Sequence, residues 1–127
     1  MRKMLVVIVL LVLGVGDEGC GSGGGSSATS GVSPSKTMMS LTDAEKGQMC
    51  DWAVAKFGGY GTRPGCTSPL FSYADKAACV ADLPSPTTTP SCQATVAQME
   101  ACVDSLPACP TLTDVANSSQ CATLTSC

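Results

Sequence analysis

Histidine is absent from this chain, and aromatic side chains make up only 4% of its 127 residues: Trp52, Phe57, Tyr60, Phe71 and Tyr73. Without histidine the chain lacks the commonest general base, the usual nitrogen ligand of zinc and copper, and the side chain that titrates near neutral pH. Basic residues are also sparse. No Lys/Arg cluster follows Lys3, and the formal net charge is −3. A phosphate backbone requires a cationic surface, so no nucleic-acid partner is expected. Apolar content rests heavily on Ala, Val and Cys, which have little area to bury. At about 25 cal/mol per Å² such a core stabilises a small domain weakly, and reinforcement from another source is expected.

What the chain has in quantity is cysteine. Cys20 stands alone, and Cys50, Cys66, Cys79, Cys92, Cys102, Cys109, Cys121 and Cys127 follow. No C-x-x-C occurs, and the tightest spacing, Cys121 to Cys127, leaves five residues between. Zinc sites and redox catalysts use closer pairs, commonly with histidine or an activating base, so neither a metal nor any other cofactor is expected. An even number of cysteines in a small, core-poor domain instead reads as structural disulfides formed in an oxidising compartment. Cys92 and Cys102, if on one helix, would lie about 15 Å apart, too far to bridge. Cys79 with Cys92 across a proline turn, and Cys50 with Cys102, are the expected pairs; the other four stay open.

Residues 1–19 read as a secretory signal, with a basic Met1-Arg2-Lys3-Met4 leader and an apolar run from Leu5 to Leu13. The run falls short of the roughly 20 apolar residues a spanning helix needs, and Asp17-Glu18 ends it. After Gly19-Cys20 comes GSGGGSSATSGVSPS, in which eleven of fifteen residues are Gly or Ser. That composition predicts a flexible tether over residues 20–39, on the order of 25 Å long as a coil. The folded domain is expected to occupy residues 40–127.

The order of basic leader, apolar run, Gly-Cys and Gly/Ser tract resembles the leader of bacterial lipoproteins. The resemblance covers residues 1–35 and implies cleavage before Cys20, lipidation of its sulfur and acylation of the new amino terminus. Asp17 and Glu18 stand where that family prefers an apolar and a small residue. An ordinary signal-peptidase cut after Gly16, with Gly14 and Gly16 as the small residues, is the alternative. Cysteine parity favours lipidation, because eight downstream cysteines can pair and Cys20 is the ninth. Gly21 stands where the family's inner-membrane retention signal would place Asp, which implies an outer membrane where the cell has one.

Within the domain, Thr42-Asp43-Ala44-Glu45 fits a capping box, and Cys50, Ala53, Val54 and Phe57 follow at helical spacing. Gly58-Gly59 is the expected helix stop, with Tyr60 tucked onto the core. A second helix, opened by Ser68-Pro69 or by Ser72, is expected to carry Cys79, Val80 and Leu83 and to stop before Pro84. The turn Pro84–Pro90 leads to a third, from about Ser91 to Leu106, with Cys92, Val96, Met99, Val103 and Leu106 as its stripe. Beyond Pro107 and Pro110 a last short helix or a strapped tail is expected. The fold class is therefore mainly α, a small disulfide-stapled bundle of three to four short helices. Plant lipid-transfer proteins share the cysteine count and helical content, but their adjacent Cys-Cys and Cys-x-Cys are missing here.

The leading functional expectation is a non-enzymatic envelope or surface module. It would be held to a membrane through the N-terminal lipid and carry a possible protein partner at the cell surface, in the manner of the cysteine-rich exported bacterial lipoproteins that residues 40–127 resemble. A soluble secreted effector or inhibitor is the alternative. Asp51, Asp75, Glu100 and Asp104 are the carboxylates a hydrolase would draw on, and a carrier of small apolar ligands would need a cavity between the helices. Asn117-Ser118-Ser119 fits a glycosylation acceptor only in a eukaryotic secretory pathway.

Overall fold

The computed structural model describes residues 29–127 apart from Thr62 and Pro69. The described residues form α1 (Asp43–Lys56), α2 (Lys76–Asp82), α3 (Val96–Ser105) and α4 (Leu112–Asn117). A 3-10 turn at Met38–Ser40 precedes α1 and a 3-10 helix at Ser119–Ser126 follows α4. This is the mainly helical, disulfide-stapled bundle that the sequence implies.

α1 forms as its sequence dictates. The Thr42 hydroxyl accepts from the Glu45 amide at 3.3 Å, and the Glu45 carboxylate accepts from the Thr42 amide at 2.9 Å. Two of the orphan donors at the helix start are thereby satisfied. The stripe Cys50, Ala53, Val54 and Phe57 is buried throughout. At the other end the Gly59 amide donates to the Val54 carbonyl at 2.9 Å, and Gly58 and Gly59 take φ of +102° and +93°, which glycine adopts at little cost.

α2 and α3 both begin later than the sequence suggests. α2 is capped by Asp75, whose carboxylate accepts from the Ala78 amide at 2.9 Å. Ser68 and Ser72 open no helix, because the chain before Asp75 is bound up in a loop organised around Arg63. α3 starts at Val96, set by a capping box between Thr95 and Gln98. Cys92 therefore lies before this helix instead of on its stripe. Val96, Cys102 and Val103 are buried, with Met99 and Leu106 packed at the core's margin.

The four bridges are Cys50–Cys79, Cys66–Cys109, Cys92–Cys127 and Cys102–Cys121, with Cα separations of 4.4 to 5.9 Å. All eight cysteines of the domain are paired, but the two expected pairings, 79–92 and 50–102, are both wrong. The Pro84–Pro90 turn does not set Cys79 level with Cys92, because Cys92 lies outside α3, in the stretch that adjoins the chain leading into α1. Cys79 faces α1 and joins Cys50 there, packed around Val54. α1 meets α3 through Ala53, Phe57 and Val103 without sulfur, which leaves Cys102 for the C-terminal tail. Each bridge closes a loop spanning 19 to 43 residues, worth roughly 3–4 kcal/mol on the chain-entropy account.

The tether boundary also moves. Residues 30–39 belong to the folded unit: Val32 is 6% exposed and Met38 fully buried, in one cluster with Leu41, Met49, Cys92, Ala94 and Val96. This N-terminal strap crosses the start of α3. The Val96 amide donates to the Lys36 carbonyl at 2.8 Å and the Ala97 amide to the Pro34 carbonyl at 3.0 Å, while the Met38 amide donates to the Ala94 carbonyl at 2.8 Å. Helix donors that side chains leave orphaned are thus met by backbone from sixty residues earlier in the chain. The Glu100 carboxylate accepts from the Ser30 amide at 2.7 Å, which fixes the far end of the strap.

Candidate functional site

The loop joining α1 to α2 holds the domain's least ordinary chemistry. Arg63 is 7% exposed, and its guanidinium is bonded to main-chain carbonyls. Its Nη1 donates to the Phe57 carbonyl at 3.2 Å, and its Nη2 to the Leu70 carbonyl at 2.6 Å and the Ser68 carbonyl at 3.3 Å. Nε is buried with no acceptor among the described residues. One guanidinium thus gathers three carbonyls that a loop with no secondary structure would otherwise leave bare. Phe71, at φ +55°, turns back so that its ring stacks on Phe57 with centroids 4.6 Å apart. Cys66 is joined to Cys109 next to this loop, and the Ser68 hydroxyl donates to the carbonyl of buried Pro110.

Over the Cys50–Cys79 bridge lies a polar face. The Tyr60 hydroxyl donates to Asp51 at 3.0 Å, and Lys76 pairs with the other oxygen of Asp51 at 2.5 Å. Lys76 holds the Asp51 carboxyl below the usual carboxylate range, and the Tyr60 hydroxyl adds to this. Burial, and then the Asp51 charge, push the Tyr60 phenol up to about 12. Tyr73 donates to Asp82 at 2.7 Å, and burial followed by that carboxylate raises its phenol as well. Neither phenol therefore supplies a phenolate near neutral pH, and both act as hydrogen-bond donors.

The carboxylates a hydrolase would need are dispersed. Asp51 is bound to Lys76 and Tyr60, Asp75 caps α2, Glu100 holds the strap, and Asp104 is ion-paired with Lys56. Asp114, lowered by its bonds to the Thr111 hydroxyl and amide, closes the capping box of α4. Tyr60 lies against the core as expected for a helix stop. Asn117 is exposed at the end of α4. Among the described residues no three Cys, Asp or Glu side chains converge as a metal site, and no helix is long and apolar enough to cross a membrane. Cys20 and the leader lie outside the described residues.

The chain matches no protein-family model, no characterised protein and no solved structure. Its chemistry has to be taken from the residues themselves. The four bridges suit an oxidising, exported environment. Sequence reasoning missed Arg63 and the strap. Arg63 had one available signal: it is the sole arginine after Arg2, set among glycines where a solvated lysine would serve as well. In the strap the available signals were Val32 and Met38, apolar residues of a kind the Gly/Ser tract before them lacks.

Proposed function

We propose that this chain is an exported, lipid-anchored envelope or surface protein whose cysteine-rich domain is a non-enzymatic interaction or structural module. The observation that carries the proposal is sulfur pairing. All eight cysteines from Cys50 onward are bonded to one another, so Cys20, behind the apolar leader, is the one cysteine left to accept a lipid. An unmodified ninth thiol in an oxidising compartment would be reactive, and acylation removes that liability. The non-enzymatic reading draws on the dispersed carboxylates, each occupied with capping, ion pairing or holding the strap.

With Ser30 bound to Glu100, only residues 21–29 lie between Cys20 and the domain. Ten residue steps span at most about 35 Å even fully extended, so the module sits close to the bilayer. Its partners are the membrane, through the acylated terminus, and a cell-surface protein.

Mass spectrometry of the mature N-terminus tests this. The expected product begins at Cys20 and carries acyl chains, and Cys20→Ser moves the protein from the membrane fraction to the soluble one. A mature chain beginning at Asp17 with an unmodified thiol would overturn the anchor and make the protein a soluble secreted effector or inhibitor.

A further inference from the structure

The four bridges are unequally sealed. Cys50, Cys79, Cys92, Cys102 and Cys121 are each 3% exposed or less, whereas Cys66 and Cys109 are both half-buried. We infer that the Cys66–Cys109 bridge is a thiol-exchange site, the position at which low-molecular-weight thiols react with this protein.

Exchange begins when an external thiolate attacks one sulfur in line with the S–S bond. The new mixed disulfide forms as the old bond breaks, and the second cysteine departs as a thiolate. A second external thiolate then attacks the reagent's sulfur in the mixed disulfide and expels the protein cysteine as a thiolate, leaving two protein thiols and one oxidised disulfide of the reagent. The reagent supplies both electrons. At Cys66–Cys109 both residues are half-buried, so attack on either partner leaves a departing thiolate at a partly solvated position.

Cys127 is half-buried too, but attack there would expel the thiolate of Cys92, which is 0% exposed and lies against Met38 and Met49. A thiolate formed in apolar surroundings is a poor leaving group. Loop length does not reverse this ranking, since the entropy of loop closure grows only slowly over spans of 19 to 43 residues.

The surroundings of the bridge make the exchange reversible. Arg63 holds the Phe57, Ser68 and Leu70 carbonyls, and Ser68 holds Pro110, without help from sulfur. When the bridge opens, the loop keeps its shape and the two thiols stay close enough to close again. This inference does not depend on the anchor at Cys20, because it concerns a bridge inside the domain.

The test is limited exposure of the oxidised full-length protein to glutathione without denaturant, followed by alkylation and peptide mapping. Trypsin releases residues 57–76, which contain Cys66 alone. The first alkylated cysteines are expected to be Cys66 and Cys109, at least about tenfold faster than any others, with far-UV circular dichroism unchanged. Removing glutathione and adding oxidant should restore the bridge. A Cys66→Ser/Cys109→Ser variant should lose the fast phase and keep the slow ones. First labelling at another pair, or simultaneous labelling of all eight, would overturn the inference. The order of labelling in the unaltered protein decides the matter even where the double variant fails to fold.

Discussion

Two ends of the folded domain wrap the same helix by different means. The N-terminal strap, residues 30–40, lies across the start of α3 through backbone hydrogen bonds, buried Val32 and Met38, and the Lys36–Glu45 ion pair. The C-terminal tail, residues 119–127, is tied by Cys102–Cys121 to α3 and by Cys92–Cys127 to the segment preceding it. The strap is held by non-covalent bonds that must hold together as a set. The tail is held by covalent bonds that make local packing less critical, which is how a stretch as poor in apolar bulk as SSQCATLTSC stays folded. Stress on sulfur should therefore fall on the tail, and stress on packing on the strap.

The largest effect expected follows from complete reduction. Four bridges at roughly 3–4 kcal/mol each are comparable with, or exceed, the 5–15 kcal/mol net stability of an ordinary domain. Full reduction and alkylation should abolish the cooperative thermal transition and most helical signal at 25 °C. A reduced protein that still melted cooperatively would show that the packing suffices without sulfur.

Next in size is the strap's main apolar contact. Met38 is 0% exposed, and Met38→Ala should cost about 2–5 kcal/mol in a urea titration. The same variant should speed hydrogen exchange at the Val96 and Ala97 amides, whose acceptors are strap carbonyls. Leu124→Ala, at a half-buried position on the sulfur-bound tail, should cost less and leave those amides protected. Equal losses at the two sites would erase the distinction between the ends.

This contrast also explains what could be read from the residues. α1 was legible to within a residue because Thr42, Glu45 and Gly58-Gly59 mark its ends by local chemistry. The tail was legible because Cys121 and Cys127 have little other use in a small exported domain. Pairing was not legible, since it depends on which faces meet. Cys92 falls at helical spacing with Val96 and Met99, yet Thr95 and Gln98 start the helix after it. The strap was only partly hidden: Val32 and Met38 are apolar signals in a polar stretch, but Ser30, Pro34 and Lys36 also act through backbone groups, which have no signature in a sequence. Arg63 was obscure likewise, because its acceptors at Phe57, Ser68 and Leu70 are all main chain.

A smaller effect is expected at the start of α3, where strap and helix meet. Thr95→Ala removes the hydroxyl that accepts from the Gln98 amide at 3.3 Å, and losing such a cap costs about 1 kcal/mol. Thr95→Ser keeps the oxygen and should recover most of the loss. Failure of serine to recover it would point to the threonine methyl, and so to packing, as the source.

The smallest effect belongs to the ion pair that joins the strap to α1. Lys36 lies 2.6 Å from Glu45, and hydrogen bonding from Lys36 and then from Thr42 lowers the Glu45 carboxyl from 4.5 to about 2. The folded state therefore holds this proton less tightly than the unfolded chain does. Its stabilising contribution is fully present above pH 4.5 and is lost as pH falls from there through about 2. Glu45→Gln separates the two roles of the residue, since glutamine can still complete the capping box with Thr42 but has no charge for Lys36. The melting temperature of the variant should match the parent's most closely near pH 2 and fall slightly below it near pH 6, with the gap narrowing in high salt. A gap of the same size at both pH values would assign the residue's contribution to capping alone, leaving the strap attached by backbone and burial without help from charge.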